Sequence, residues 1–466
     1  MKKVVFWAVA ALMMGSFALT SCSKDDEKTS PGGNGDRARY TIMVYGNAGS
    51  SMDYIIEEMW DELKPMLNDT TDVRMVFLYK YGSPDHVDPD NPARYGNPGD
   101  ILWFELNNTI DLDSLRVTDA VQAPDFPLYS PVAVSLFINS VKQVCPADNY
   151  IFILWGHGGG YDVLNDAPDN IVTKGVLYDE LAQGKGMSMY EFADGLATAD
   201  PTHFQLLMFH NCLMGNIETL TEVQQYADYM FCSAHVLDSD GKPIVELVRA
   251  IQSDRNNTDF EKTAAEMCRT LKPYYDEMTR LGIIHQNLDW KIIRTSGLNW
   301  LNLSIGKLAD RLVELYPTHK EQIDSAALMY VYRYRVNGVP YLIDLDFYVQ
   351  RLKHFVDDST MVELCNTVHT QLENLFVQRW HYNYPFENVP ALDDYSLSIV
   401  FGHHDFLHCV VKGTPIANAY YPSAFNRRTG WARWLDVNTL WPDVSLSDQG
   451  GASMPWNTYH NYLIAH

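Results

Sequence analysis

Basic charge is scarce in this chain: 35 lysines and arginines stand against 59 aspartates and glutamates, a formal net charge of -24. Nucleic-acid binding needs clustered basic surface, so the balance argues against that partner and for a soluble protein repelled by anionic polymers. Cysteine is also sparse. None of the seven, Cys22, Cys145, Cys212, Cys232, Cys268, Cys365 and Cys409, forms a Cys-x-x-Cys pair, so neither a zinc ribbon nor a thioredoxin motif is indicated. With Cys22 set aside, the remaining six permit disulfides in an exported protein, but their irregular spacing gives no framework. A 466-residue chain with 46% hydrophobic residues builds a core without staples, so most thiols are expected free and buried. Length alone is a prior for two to three domains. After the first twenty residues no apolar run reaches the length of a membrane-spanning helix.

The N-terminus has the marks of a targeting segment. Lys2 and Lys3 precede an apolar run over Val4 to Leu19, too closely followed by a processing signal to serve as an ordinary span. Leu19-Thr20-Ser21-Cys22 resembles the bacterial lipobox, in which the cysteine is lipidated and becomes the mature N-terminus. Ser23 and Lys24-Asp25-Asp26-Glu27 look like the acidic tether that sends lipoproteins of Bacteroides-type bacteria to the outer surface. The expectation is a signal peptide over 1–21, a flexible tether over 22–39 anchored by lipid on Cys22, and an outer-membrane lipoprotein facing the cell surface, with the periplasmic face as the alternative.

Folded structure is expected from Tyr40. Strands are read at Tyr40–Tyr45, Val73–Tyr79, Ile101–Leu106, Tyr150–Trp155, Phe204–Phe209 and Tyr229–Ser233. Helices are read at Asp53–Leu67, Val132–Val144, Ser188–Ala197 and Asn216–Ala227, the third opening with Ser188 and Glu191 at capping-box spacing. Strands apolar on both faces and alternating with helices predict an α/β fold with a mostly parallel sheet covered on both sides. Beyond Pro243 the pattern is coarser: helices at Phe260–Arg280 and Leu308–Tyr316, an amphipathic stretch at Leu342–Phe355 and a strand at Tyr395–Phe401. The division read from this is a catalytic domain over 40–242 and a C-terminal α+β region over 243–466 that packs on it.

Ligands of parallel sheets bind beyond the carboxyl ends of the strands. The strand Tyr150–Trp155 runs into Gly156-His157-Gly158-Gly159-Gly160, and the strand Phe204–Phe209 into His210-Asn211-Cys212. An imidazole and a thiol therefore fall on the same sheet edge. A nucleophilic cysteine needs a nearby imidazole to generate the thiolate and to protonate the leaving amine. Glycines after His157 let backbone amides approach a substrate carbonyl, so the amides of Gly158 and Cys212 are the expected oxyanion hole. The 55-residue interval from His157 to Cys212 is close to the roughly 50 residues of caspase-like peptidases.

At this point the chain resembles the clostripain-type cysteine peptidases, relatives of caspases, legumains and gingipains. FILWGHGGGY and LLMFHNCLMGNIETL carry the likeness, supported by YTIMVYGNAGSSMD, GVLYDE, YLIDLDFY, YSLSIVFG and YYPSAFNRRTGWARWL. The resemblance implies a caspase-like fold and a surface endopeptidase acting on protein or peptide substrates, with Cys212 as nucleophile and His157 as general acid/base, and no cofactor required for the chemistry.

His210-Asn211 stands where relatives usually carry Asp-Ala, whose aspartate helps form the pocket for a P1 Arg or Lys. His210 is either only a strand-end residue or a pocket wall; as a wall, cationic below about pH 6.5, it moves the expected P1 preference away from Arg and Lys toward neutral or acidic P1 groups as pH falls toward 6. Asp240 falls where relatives place a second pocket acid, or is only a turn residue before Gly241. The polar stretch Asp162–Gly186 offers Lys174 and Lys185 as activation cleavage points. Calcium, on which some relatives depend, is left open through Asp162, Asp166 and Asp169, whose spacing is not that of an EF-hand. His403, His404 and His408 lack the acidic partner of an H-E-x-x-H site and are read as a loop cluster, so no metal site is expected. A binding module that kept a peptidase fold without turnover is the alternative function.

Overall fold

The computed structural model describes residues 37–47, 53–82, 98–112, 121–122, 126–160, 175–179, 181, 185–235, 237, 240–285, 287–328, 335–336, 339–340, 342–384, 396–401, 409–411, 414–416, 420 and 423–438. Strand β1 (Ala38–Asn47) leads to helix α1 (Asp53–Leu63), then β2 (Val73–Lys80), β3 (Asp100–Leu106) and β4 (Val121–Gln122). Helix α2 (Pro131–Val144) precedes β5 (Ala147–Gly156), the hairpin β6 (Leu177–Asp179) and β7 (Lys185–Met187), α3 (Met189–Thr198) and β8 (Phe204–His210). Next come α4 (Ile217–Val223), β9 (Ala227–Cys232), α5 (Lys242–Ser253), α6 (Phe260–Arg280) and β10 (Leu288–Arg294). The remainder holds α7 (Leu298–Leu328), the ladder β11 (Arg335–Val336) and β12 (Val339–Pro340), β13 (Leu342–Asp344), α8 (Leu345–Phe355), α9 (Ser359–Leu375), β14 (Phe376–Tyr382), β15 (Ser398–Val400), the ladder β16 (Cys409–Val411) and β17 (Thr414–Ile416), α10 (Ala424–Thr429) and α11 (Trp431–Val437).

Nine strands form one sheet in the order β14-β10-β9-β8-β5-β1-β2-β3-β4. The five central strands are parallel neighbours, and β3 and β10 run against them on the two sides. β4 and β14 reverse again, so the sheet is mostly parallel by direction. Parallel neighbours cannot be joined by a tight turn, so the chain crosses over through helices and covers both faces. Ile42, Val44, Ile151, Ile153 and Trp155 point to a core closed by α1, α5 and α6. Met43, Tyr45, Phe152, Leu154 and Phe209 point to the opposite core, closed by α2, α3, α4 and the later helices.

The strands and helices read before residue 242 are present. Ser188 and Glu191 close the capping box that starts α3, with Glu191 N donating to Ser188 Oγ at 3.2 Å and Ser188 N to Glu191 Oε2 at 2.9 Å. Some bounds change. The helix expected through Leu67 ends at Leu63 and tightens to a short 3-10 turn, Lys64–Met66. The helix expected through Ala227 ends at Val223 and tightens to a short 3-10 turn, Gln224–Tyr226, because Ala227 already belongs to β9. The amphipathic stretch read from Leu342 opens as β13, and α8 starts at Leu345 with Asp344 Oδ1 capping the Phe347 amide at 2.9 Å.

The boundary expected at residue 242 does not bound the sheet. β10 pairs with β9 from Lys291↔Cys232 to Arg294↔Tyr229, and β14 pairs with β10. The later half of the chain thus completes the central sheet as well as packing against it. Cys145, Cys212, Cys232, Cys268 and Cys365 are free thiols, all buried except the half-buried Cys212.

Candidate active site

β5 and β8 are hydrogen-bonded parallel neighbours, with Trp155 opposite His210 at the end of the ladder. The residues that follow, Gly156-His157-Gly158 on one strand and Asn211-Cys212 on the other, therefore leave the sheet at the same edge. His157 and Cys212 are both half-buried there. Gly158 lies directly against the cysteine backbone: a Cβ at this position would sit 2.5 Å from the carbonyl oxygen of Cys212 and 3.1 Å from its nitrogen. Only glycine leaves that approach open.

The turn carrying Cys212 is strained and held. Leu213 has φ 64°, the only positive value at a non-glycine residue among the described residues. An L-residue there costs about 1–2 kcal/mol unless its surroundings impose it. Here the Leu213 amide donates to the His235 carbonyl at 2.7 Å and the Gly215 amide to the Ser233 carbonyl at 2.6 Å. The Leu237 amide points at the sulfur itself, 3.5 Å from Cys212 Sγ. Asn216 then caps α4 by accepting the Thr219 amide at 3.2 Å.

A third segment ties the two motif turns together. Gly159 N donates to Gly175 O at 2.7 Å, and the buried Asn211 donates its Nδ2 to Val176 O, also at 2.7 Å. β6 follows at once and is fixed by a fully buried ion pair, Lys80 Nζ to Asp179 Oδ2 at 2.7 Å, with Phe126 O accepting from the same ammonium at 3.2 Å. The GVLYDE motif thus contributes a short strand, β6, that splints the site.

His210 is not a titrating pocket wall. It is 1% exposed and its ring stacks on Trp155 with centroids 4.4 Å apart and planes 13° from parallel. Burial holds its pKa down to about 3, so the cationic form expected below pH 6.5 is not available near neutrality. The pH-dependent acceptance of acidic P1 groups through His210 is therefore corrected: imidazolium has no water to stabilise it at this position. Asp240 lies just before α5, on the sheet face that also receives Trp155 and His210. Its Oδ1 accepts the Lys242 amide at 3.0 Å and faces the Tyr275 hydroxyl at 3.4 Å.

Cys22, Asp162, Asp166, Asp169, Lys174 and the histidines 403, 404 and 408 lie outside the described residues. Lys185 opens β7 and is paired with Asp179 across the hairpin, so its backbone is not the open loop that cleavage favours. Among the described residues one group has metal-ligand geometry, Asp346, His369 and Glu373 on α8 and α9. It is an ordinary ion-paired cluster: His369 Nδ1 meets Asp346 Oδ1 at 2.8 Å, and Glu373 takes Arg379 through both oxygens at 2.9 and 3.1 Å. The bracing roles of Asn211, Leu213 and the Ser233–His235 turn went unread in the sequence because single polar or apolar residues beside a motif carry no period or spacing. The signal available was the position of Asn211 next to the thiol.

The fold has counterparts among known proteins. A crystal structure of an inactive zymogen C11 protease from Parabacteroides distasonis superposes with a TM-score of 0.53 at 16% identity, covering 86% of this chain and 98% of that one. A secreted C11 cysteine protease from Bacteroides thetaiotaomicron, solved with an irreversible peptide inhibitor, gives 0.54 at 16% identity, covering 86% and 99%. At these identities the likeness speaks for the fold. No curated protein sequence matches the chain. The model of the clostripain family matches residues 57–388, most of the chain and both motif strands, and the chain therefore belongs to the clostripain family of cysteine proteases.

Proposed function

We propose that the protein hydrolyses peptide bonds with a Cys212–His157 dyad while anchored by lipid on Cys22 to the outer membrane, on its cell-surface side. The observation that carries the catalytic part is the parallel β5–β8 pairing, which brings the ends of the two motif strands together at one edge with Gly158 against the Cys212 backbone. Catalysis by a cysteine protease of this family needs no cofactor.

In this mechanism the Cys212 sulfur, as thiolate, attacks the substrate carbonyl carbon and the oxygen takes up negative charge. The amides of Gly158 and Cys212 donate to that oxygen. His157, as imidazolium, gives its proton to the leaving amine as the C–N bond breaks, which leaves a thioester on Cys212 and a neutral imidazole. His157 then takes a proton from water, hydroxide adds to the thioester, and the thiolate departs to regenerate the dyad.

A P1 preference moved away from Arg and Lys is part of this reading. The aspartate usual in relatives is replaced by a neutral, stacked His210, and Asp240 is left as the nearby acid on the same sheet face. A positional substrate library at pH 6 and pH 8 tests it. Equal profiles at the two values with weakened basic selectivity support it, and strict Arg selectivity overturns it.

The dyad is tested by substitution. Cys212→Ala should abolish hydrolysis and labelling by a peptidyl acyloxymethyl ketone while leaving the melting temperature close to that of the parent. His157→Ala should lower kcat by about 10²–10⁴-fold. Full turnover in Cys212→Ala overturns the mechanism. Labelling at Cys212 without hydrolysis of any peptide in the library would favour the binding-module alternative.

A further inference from the structure

The loop that restrains the nucleophile is itself built around a buried charge pair. Asp289, at the start of β10, is 1% exposed, and Lys291 two residues on is fully buried. The two form an ion pair. The Asp289 carboxylate also accepts three hydrogen bonds from one turn: Ser233 Oγ at 2.8 Å, Ala234 N at 3.2 Å and His235 N at 2.8 Å. Ser233 Oγ in addition accepts the His235 amide at 3.1 Å.

That turn is the one whose carbonyls fix the cysteine. Ser233 O and His235 O take the amides of Gly215 and Leu213, and two residues further on the Leu237 amide donates to Cys212 Sγ. A Cβ on Gly215 would lie 2.6 Å from Ala234 N, so the two turns are in direct backbone contact. Asp289 is thus joined to the cysteine turn by two successive layers of hydrogen bonds, the first onto residues 233–235 and the second from their carbonyls onto Leu213 and Gly215.

Stability does not account for the pair. Two buried charges on adjacent same-face positions of a strand rarely outperform apolar residues of similar size, because desolvation offsets their attraction. A carboxylate does one thing that an apolar residue cannot: it gathers several N–H and O–H donors of a turn to a single point.

We propose that Asp289, neutralised by Lys291, is a positioning residue for Cys212: it sets the Ser233–His235 turn, whose carbonyls hold the strained cysteine turn next to the Leu237 amide that meets the sulfur. This rests on Cys212 being the nucleophile. A donor aimed at sulfur favours thiolate over thiol, so loosening the loop should make the thiol less acidic as well as less well placed.

The experiment compares the parent with Asp289→Asn/Lys291→Met, which removes both charges and strands neither. Carboxamidomethylation of Cys212 by iodoacetamide is followed by peptide mass spectrometry across pH 5 to 9, and kcat and KM are measured beside it. The expected result is an alkylation rate at pH 7 lowered about tenfold or more, as for loss of a hydrogen bond to a charged group, with the profile moved to higher pH. kcat should fall with KM little changed. Parent-like alkylation in a folded double variant overturns the proposal, even where its melting temperature has dropped. Should the double variant not fold, Ser233→Ala decides. It removes the hydroxyl shared by Asp289 and the His235 amide, and it should move the profile the same way; an unmoved profile overturns the proposal equally. Alkylation needs no peptide turnover, so failure here is distinct from failure of the peptidase reading, which Cys212→Ala tests.

Discussion

His210 and Gly158 show how much of a candidate active site is decided by single side chains. The imidazole at the end of β8 is stacked under Trp155, and its Nε2 has no hydrogen-bond partner. A buried, unsatisfied ring nitrogen costs about 1–3 kcal/mol. His210→Phe keeps the stacked ring and removes that nitrogen, so it should raise stability by about 1 kcal/mol in urea unfolding. An increase in stability with altered P1 selectivity would mean that the nitrogen serves the pocket at the expense of the fold; a loss of stability would show that it has a partner in solution. Gly158 makes the opposite point. Adding a single methyl group 2.5 Å from Cys212 O must push the His157 turn and the cysteine turn apart. Gly158→Ala should therefore lower kcat by about 10²-fold or more, as misplacement of reacting groups by an ångström does, with a smaller effect on melting temperature. Unchanged kcat would remove Gly158 from the oxyanion hole.

At the scale of elements, the cysteine turn is gripped from two sides. The Ser233–His235 turn holds one side, and on the other the Ser398 amide of β15 donates to Gly215 O at 2.9 Å. Glu218 in the first turn of α4 strengthens that second grip: its Oε1 accepts the Val400 amide at 3.0 Å and the Tyr420 hydroxyl at 2.7 Å. Burial raises its pKa to about 7, against the lowering effect of those two donors. The folded chain therefore keeps a proton that the unfolded chain releases above its ordinary value of 4.5, and stability should decline as pH rises through that interval, by on the order of 3 kcal/mol. Glu218→Gln should flatten the fall in melting temperature between pH 5 and 7.5, and an unchanged slope would show that this carboxyl does not govern it. Much of this architecture was legible in the sequence because the central strands are apolar on both faces and the motif residues sit where they end. β10 was not legible. Its sequence, LDWKIIR, carries Asp289 and Lys291 in mid-strand, and a charge pair that is buried only by tertiary contacts looks like a solvated segment. β14 was hidden for another reason: FVQRWHY is half-buried throughout and shows no alternation of period two. The two candidate catalytic motifs could be read because strand, small-residue turn and titratable group follow in a row, whereas the loops that brace them act through backbone groups that every residue possesses.

For the whole molecule, the consequence is that the two halves of the chain share one sheet and one site. β10 covers the edge of β9 and β14 that of β10, Asp289 accepts from the turn after β9, and β15 closes on the turn after β8. The lipid anchor proposed on Cys22 is separable from all of this, and under that proposal Cys22→Ser should move the protein from the membrane fraction to the soluble one with its activity intact, since a lipid chain supplies membrane affinity and no part of the sheet. Continued membrane association of Cys22→Ser would show a second attachment. Truncation from the other end should behave differently. A chain ending at residue 242 retains His157, Cys212 and Asp240, and by motif content alone it would be a complete catalytic unit. It lacks the strand that satisfies the outer hydrogen-bonding edge of β9, and it lacks the later helices that cover Phe209, Ile217 and Leu220 in the core around α4. An uncovered apolar sheet face and a bare strand edge favour aggregation over a cooperative fold. The truncated chain should therefore show no cooperative thermal transition by circular dichroism and no labelling at Cys212, whereas a chain ending at residue 438 should show both; a sharp transition in the shorter chain would mean that the first 242 residues form a domain and that β10 and β14 are only appended to it.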